Sequence, residues 1–198
     1  MQEKISVRRA IKERLEHLSE RDRRVESQII CRELKKLIGN TPKTIGVYCP
    51  LSDEPDIRPL ITELLEEGWK VCMPMMQGIT MTFWRIRSLD DVKRDQITGI
   101  PQPIHGVAME NEETIENVLV PGRAFSLDCH RLGRGNGGYD RWIARQRERS
   151  PKTRYVGICF ECQLLQKLPT EPHDAPMDMV LTVRKLLERV QENRNHQH

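Results

Sequence analysis

The sequence predicts a three-layer α/β domain built on an open, mostly parallel sheet. Short apolar runs at Thr44–Tyr48, Lys70–Met73, Ile115–Val120, Arg154–Phe160 and Met179–Val183 alternate with segments of helical periodicity. Several of these runs are continuously apolar, the pattern of strands covered on both faces. Polar or glycine-rich segments stand at or beyond the ends of several runs, and an open α/β sheet binds ligands beyond the carboxyl ends of its strands. The length of 198 residues suits one such domain, expected over 1–192, with 193–198 as a disordered tail.

The elements follow in order. Val7, Ile11, Leu15 and Leu18 form one helical stripe, and Lys4, Arg8 and Lys12 form a basic row on another face of the same helix. A row of this kind is ordinarily a solvated face. Ser19, with Asp22 three residues on, caps a second helix whose Val25, Ile29, Leu34, Leu37 and Ile38 are expected to face the core, and Gly39-Asn40 ends it. The first strand empties into Cys49-Pro50-Leu51-Ser52-Asp53-Glu54, which makes Asp53 and Glu54 site candidates, although a loop acid is often only solvated. A helix from about Ile57 to Glu67 stops at Gly68, and Lys70–Met73 supplies the next strand before Pro74, completing a βαβ unit. Thr80–Ile86 is a half-exposed strand, Ser88–Thr98 a charged connector and Gly99–Pro103 a rigid turn. A closing helix is expected from Arg184 to about Gln191.

The most informative stretch runs from Val118 to Trp142. An apolar strand ends at Pro121-Gly122, and then Gly133, Gly135, Gly137 and Gly138 lead into Tyr139-Asp140-Arg141-Trp142 at a helix start. Glycines allow backbone N–H groups to gather round an anion, and the positive end of the helix adds to the same spot. Arg131 and Arg134 flank the bend and suit phosphate oxygens, while Asp140 either holds magnesium or complements the helix dipole. Gly133-x-Gly135-x-x-Gly138 matches the dinucleotide fingerprint only formally, since about ten residues separate it from its strand. No Gly-Lys-Ser/Thr follows, which excludes a Walker A loop. A plain flexible turn is the alternative. Later, Glu171-Pro172-His173-Asp174 packs two carboxylates and an imidazole into a proline-stiffened loop, a magnesium or proton-transfer cluster or else a polar turn.

Composition narrows the function. A net charge of +3 is too mild to demand nucleic acid and fits a basic pocket for an anionic small molecule. No segment approaches a membrane span, and the amino terminus lacks the apolar core of a secretory signal, so a cytoplasmic protein is expected. Cys159-Phe160-Glu161-Cys162 is a lone pair at CxxC spacing, read as buried reduced thiols rather than a zinc or redox site. A phosphate cradle with acidic metal ligands points to a nucleoside triphosphate.

With these segments in this order, the chain resembles the 5-formyltetrahydrofolate cyclo-ligases, also called 5,10-methenyltetrahydrofolate synthetases. The resemblance rests on Lys4-x-x-x-Arg8, the strand and loop Tyr48 to Glu54, PGRAF at 121–125, RLGRGNGGYDR at 131–141 and EPHD at 171–174. It implies a fold related to ribose-phosphate isomerases and CoA transferases, and ATP- and Mg2+-dependent cyclisation of 5-formyltetrahydrofolate to 5,10-methenyltetrahydrofolate with release of ADP and phosphate. Carried over position by position, Lys4, Arg8, Arg131, Leu132, Gly133, Arg134, Gly135, Asn136, Gly137, Gly138 and Tyr139 would contact ATP. Cys49 and Glu54 would meet the folate together with Arg134, Gly135, Asn136, Gly137 and Gly138; Arg131, Arg134 and Tyr139 would be catalytic; Asp140 and Asp174 would hold Mg2+. The implied partners are 5-formyltetrahydrofolate and ATP, without nucleic acid or membrane, and the implied state is a monomer. Two positions depart from the family's usual pattern: Gly138 stands where a second aromatic precedes the tyrosine, and Asn136 where glycine or lysine is usual. The alternative is therefore a divergent paralogue that binds folate or nucleotide without cyclising.

Overall fold

The computed structural model describes residues 2–96, 98–108 and 115–190, so the expected tail at 193–198 lies outside the described residues. Helix α1 (Gln2–His17) buries Ile11 and Leu15. Helix α2 (Glu20–Ile38) is capped by Ser19, whose hydroxyl accepts the Asp22 N–H at 3.1 Å. Strand β1 (Thr44–Gly46) leads through a loop to α3 (Arg58–Glu66) and then to β2 (Lys70–Gln77) and β3 (Thr80–Arg85). Next come β4 (Val92–Arg94), β5 (Pro101–Pro103), β6 (Val107–Ala108) and β7 (Asn117–Pro121). Strands β8 (Ala124–Ser126) and β9 (Arg131–Leu132) precede α4 (Gly138–Arg149), which is followed by β10 (Arg154–Ile158), β11 (Leu164–Leu165), β12 (Met179–Leu181) and β13 (Leu186–Glu188).

Eight strands form the main sheet in the order β13-β12-β10-β7-β1-β2-β3-β6. The five from β12 to β2 are parallel, and β13, β3 and β6 add antiparallel edges. From β1 the chain steps to β2 on one side, then crosses back to β7 on the other. That reversal opens a crevice at the carboxyl ends of β1 and β7, the switch point where such sheets bind ligands. A smaller sheet, β11-β8-β9, sits beyond β7 and carries the approach to the glycine loop.

The core explains the three layers. On one face, Ile30, Leu34 and Ile38 of α2 and Leu60, Ile61 and Leu64 of α3 pack on Ile45, Val71, Leu119 and Val156. On the other, Trp142 and Ile143 of α4 pack on Cys72, Val118, Val120 and Tyr155. Alternate residues of one strand thus serve opposite layers, and the near-continuous apolar runs follow from burial on both faces. Helix α1 forms a satellite cluster in which Ile11 and Leu15 meet Ala124, Leu132 and Phe160.

Four details differ from the sequence reading. The buried stripe of α2 is Ser27, Ile30, Leu34 and Ile38, which turns Val25 outward at 45% exposed. Strand β2 continues through Pro74, because β1 pairs it only as far as Cys72 and leaves the imide nitrogen without a ladder to break. The charged connector and rigid turn contain a ribbon, β4 paired antiparallel with β5, and Gln102 fastens it to β2 by accepting the Met76 N–H. The expected closing helix is absent from the described residues up to 190, where the chain instead forms β13. Thr182 makes the turn, its Oγ1 accepting the N–H groups of Arg184 and Lys185 and its own N–H donating to the Lys185 carbonyl, and β12 supplies a free edge for pairing. The pairing overrides a helix-forming composition.

Candidate functional site

The loop after β1 brings Glu54 inward until it is 7% exposed. Its Oε2 accepts the Leu51 N–H at 3.0 Å, and Oε1 lies 2.9 Å from Arg134 Nη2. Burial raises the Glu54 carboxyl above its ordinary value, with Arg134 opposing the rise. Neighbouring Asp53 joins two guanidiniums: Arg134 Nη2 is 2.5 Å from Oδ1, and Arg123 bonds Oδ2. Burial pushes Asp53 up, but Arg134 and Arg123 outweigh it and hold the carboxyl below its usual range. Gln163 fixes the backbone of this corner by donating to the carbonyls of Gly122 and Arg123.

The β8–β9 hairpin returns the chain to the sheet edge at Arg131. This guanidinium, with its side chain 4% exposed, places Nη2 3.0 Å from both carboxylate oxygens of Asp140 and lies over the Tyr139 ring at 5.3 Å. Gly135 (φ +116°) and Gly137 (φ +64°) carry the loop through backbone conformations that a side chain would strain, and Gly137 is the N-cap of α4. Asn136 tightens the bend, its Oδ1 accepting the Gly138 N–H at 3.3 Å while its carbonyl accepts from Arg141 at 2.9 Å. Arg8 reaches across from α1, its Nε donating to the Gly133 carbonyl at 2.8 Å, and Leu132 is buried against α1.

Two cavities flank this loop. One of about 170 Å3 lies at the switch point between Tyr48, Cys49, Glu54, Pro74, Arg134 and Tyr139. The Tyr139 hydroxyl and Arg131 Nε are buried without hydrogen-bond partners among the described residues, and both residues border this cavity. An unpaired buried hydroxyl costs free energy unless a ligand supplies its partner. Burial also pushes the Tyr139 phenol far above its ordinary value, so it stays a proton donor. The other cavity, of about 510 Å3, is bordered by Gly135, Asn136, Gly137, Asp140, His173 and Asp174. Asn136 borders both.

The EPHD loop closes the second cavity and is tied to α1. Lys4 Nζ lies 2.6 Å from Asp174 Oδ2 and 2.7 Å from Glu171 Oε2. Burial raises Asp174 and lowers Lys4, but their pairing reverses both, leaving the acid below and the amine above their ordinary values. Ligand atoms of Glu171, His173 and Asp174 all lie within 4.8 Å of one another. Hard carboxylate oxygens already gathered round a cation fit Mg2+, which takes one or two carboxylates and fills its remaining positions with water or phosphate oxygens. Asp140 borders the same cavity, with both oxygens engaged by Arg131.

The structure places most of the site residues expected from the sequence round these two cavities; Leu132 and Gly138 border neither, Lys4 joins the second only through its pair with Asp174, and Arg8 meets the loop at the Gly133 carbonyl. Arg134 is held by Asp53 and Glu54, a partnership that sequence reading misses, as it does the role of Arg123. Their signal is only a basic residue between Gly122 and Ala124, and the acceptor lies 70 residues away. Of the six cysteines, all free thiols, Cys49 borders the smaller cavity and the other five border neither; Cys159 is buried, and burial pushes Cys159 and Cys162 up, away from the reactive thiolate.

Comparison with known proteins identifies relatives by sequence and by fold. Residues 1–183 match the 5-formyltetrahydrofolate cyclo-ligase family. The chain is 28% identical to the mouse 5-formyltetrahydrofolate cyclo-ligase over 193 residues, covering 90% of this chain and 92% of the relative. It is 29% identical to the Escherichia coli K12 enzyme of the same name over 150 residues, 73% of this chain and 80% of the relative. Among solved structures, the NMR structure of Aquifex aeolicus 5,10-methenyltetrahydrofolate synthetase superposes with a TM-score of 0.78 at 30% identity, covering 98% of this chain and 99% of that one. The Mycoplasma pneumoniae synthetase shares the fold at a TM-score of 0.73 and 20% identity, over 91% and 98% of the two chains. By sequence over almost its whole length and by fold, the chain belongs to the 5-formyltetrahydrofolate cyclo-ligase family.

Proposed function

We propose that this chain uses ATP and Mg2+ to close 5-formyltetrahydrofolate into 5,10-methenyltetrahydrofolate, releasing ADP and phosphate. Family membership supports the cyclo-ligase activity. The observation that carries the ATP-dependent mechanism is the position of Asn136, whose loop borders a small chamber holding a buried carboxylate on one side and an oxygen-rich cleft on the other. A phosphoryl group passing between two substrates needs two compartments meeting at one wall.

In this reading the folate ring occupies the smaller chamber, where the Glu54 carboxylate accepts its N–H donors and the Tyr139 hydroxyl donates to the formyl oxygen. The triphosphate lies along the glycine loop, with Lys4, Arg8, Arg131 and Arg134 supplying positive charge. The formyl oxygen attacks the γ-phosphorus and ADP leaves. N10 then attacks the activated formyl carbon and loses its proton, and the carbon–oxygen bond breaks as inorganic phosphate departs. Arg131 and Arg134 offset charge on the transferring group, and both are already oriented by Asp140, Asp53 and Glu54. Magnesium, when bound, neutralises charge on the phosphate oxygens; Asp174 and Glu171 would hold it, with Asp140 beside them.

Product stoichiometry tests the mechanism. One ADP and one phosphate per methenyl product are expected in a coupled assay. ADP release without methenyl formation would make the protein a nucleotide hydrolase and overturn the reading.

A further inference from the structure

Lys4 occupies the position that a metal ion needs. Its ammonium lies within 2.7 Å of an oxygen from each of Asp174 and Glu171; the Lys4 and Asp174 side chains are largely buried, at 12% and 13% exposed, while Glu171 meets them from the exposed side. The same two carboxylates, with His173, converge within 4.8 Å, too tightly to seat an ammonium and a divalent ion together without strong repulsion. The backbone of α1 is anchored independently, by Ile11 and Leu15 in their apolar cluster and by the bond from Arg8 to Gly133. The lysine side chain can therefore leave while its helix stays.

We infer that Lys4 and the metal ion exchange at this position, so that metal entry frees the lysine ammonium to meet the triphosphate in the adjoining cleft. The inference rests on the ATP–Mg2+ reading above. Without ligand, Lys4 screens Asp174 from Glu171 and keeps the loop assembled. With the metal–nucleotide complex, the metal takes the carboxylates and Lys4 takes phosphate oxygens, so every charge keeps a partner. Free metal alone would strand Lys4, and free ATP alone would draw Lys4 away from two uncompensated carboxylates. Metal and nucleotide therefore bind synergistically, each tightening the other by the same factor.

The test titrates the whole 198-residue chain with Mn2+, read by the electron paramagnetic resonance of the free ion, with and without a non-hydrolysable ATP analogue. Wild type is compared with Lys4→Met and Lys4→Gln, two variants so that failure of one to fold leaves the other. Without nucleotide, both variants should bind Mn2+ roughly tenfold tighter than wild type, and the tightening caused by the analogue should shrink in both. Adding Asp174→Asn to Lys4→Met should abolish the gain. Unchanged or weaker Mn2+ binding by both variants, with nucleotide-dependent binding intact in wild type, overturns the exchange and leaves the metal reading standing. No Mn2+ binding by wild type even with the analogue overturns the metal reading and the exchange with it.

Discussion

Arg131 and Asp140 join the two ends of the glycine loop, one guanidinium nitrogen standing 3.0 Å from both oxygens of the carboxylate. The residue entering the loop is thereby locked to the first turn of the helix that leaves it. Both side chains are largely buried, at 4% and 14% exposed. Asp140 is therefore a structural partner whatever ligand it also meets.

Replacing Asp140 with Asn should lower stability as well as turnover. Leaving a buried guanidinium without its counter-charge costs about 3 kcal/mol. Chemical denaturation measures this, and an unchanged midpoint would show that the pair contributes nothing. Asp174→Asn is expected to cost less, because Lys4 keeps Glu171 as a partner.

Arg123 shares Asp53 with Arg134. In Arg123→Leu, Asp53 is left to Arg134 alone and draws that guanidinium away from Glu54. We expect KM for the folate to rise several-fold with a smaller change in kcat, and Arg123→Lys to restore part of the loss. Equal falls in kcat and kcat/KM with KM unchanged would contradict a positioning role.

The pH profile should carry the signature of Glu54. Its carboxyl titrates above the ordinary value of 4.5 because it is buried, so it takes up a proton while an exposed glutamate is still charged. The acid limb of kcat/KM is expected above pH 4.5, and Glu54→Gln should remove that limb while weakening folate binding. A limb that persists in the variant assigns it to another group.

The Lys4–Asp174 pair should stabilise the fold over a defined window. Asp174 titrates below its ordinary 3.8, so its contribution is present above that value and is lost as pH falls through the lower folded one. Lys4 titrates above 10.5, so its contribution is complete below that value and is lost as pH rises through the higher folded one. Melting temperatures of wild type should exceed those of Lys4→Met across this range and converge with them at the acid end. A constant offset down to pH 2 would trace the difference to packing instead.

Much of this was legible in the sequence where the physics is local. Apolar runs mark the buried strands, Ser19 marks the start of α2, and Gly133 to Asp140 reads directly as a loop opening a helix. The EPHD segment stands out as a candidate cluster through its residue types alone. What stayed hidden depends on partners distant along the chain. Lys4 and Asp174 are 170 positions apart, and Arg134 and Glu54 are 80 apart, so no spacing rule joins them. The strand order, and with it the switch point between β1 and β7, emerges only from pairing. The turn at Thr182 and the free edge of β12 decide the fate of residues 186–188 against their helical composition. Likewise β5 forms a strand despite two prolines because its partner β4 and Gln102 hold it in place.

The central claim is tested most directly by mixing the purified protein with 5-formyltetrahydrofolate, ATP and Mg2+ and following the near-ultraviolet absorbance of the methenyl product. A rise that requires both ATP and the metal, and that Tyr139→Phe or Arg134→Gln greatly slows, is the predicted result. A folded protein that binds both substrates and yields no absorbance rise would contradict cyclisation and mark the chain as a binding paralogue.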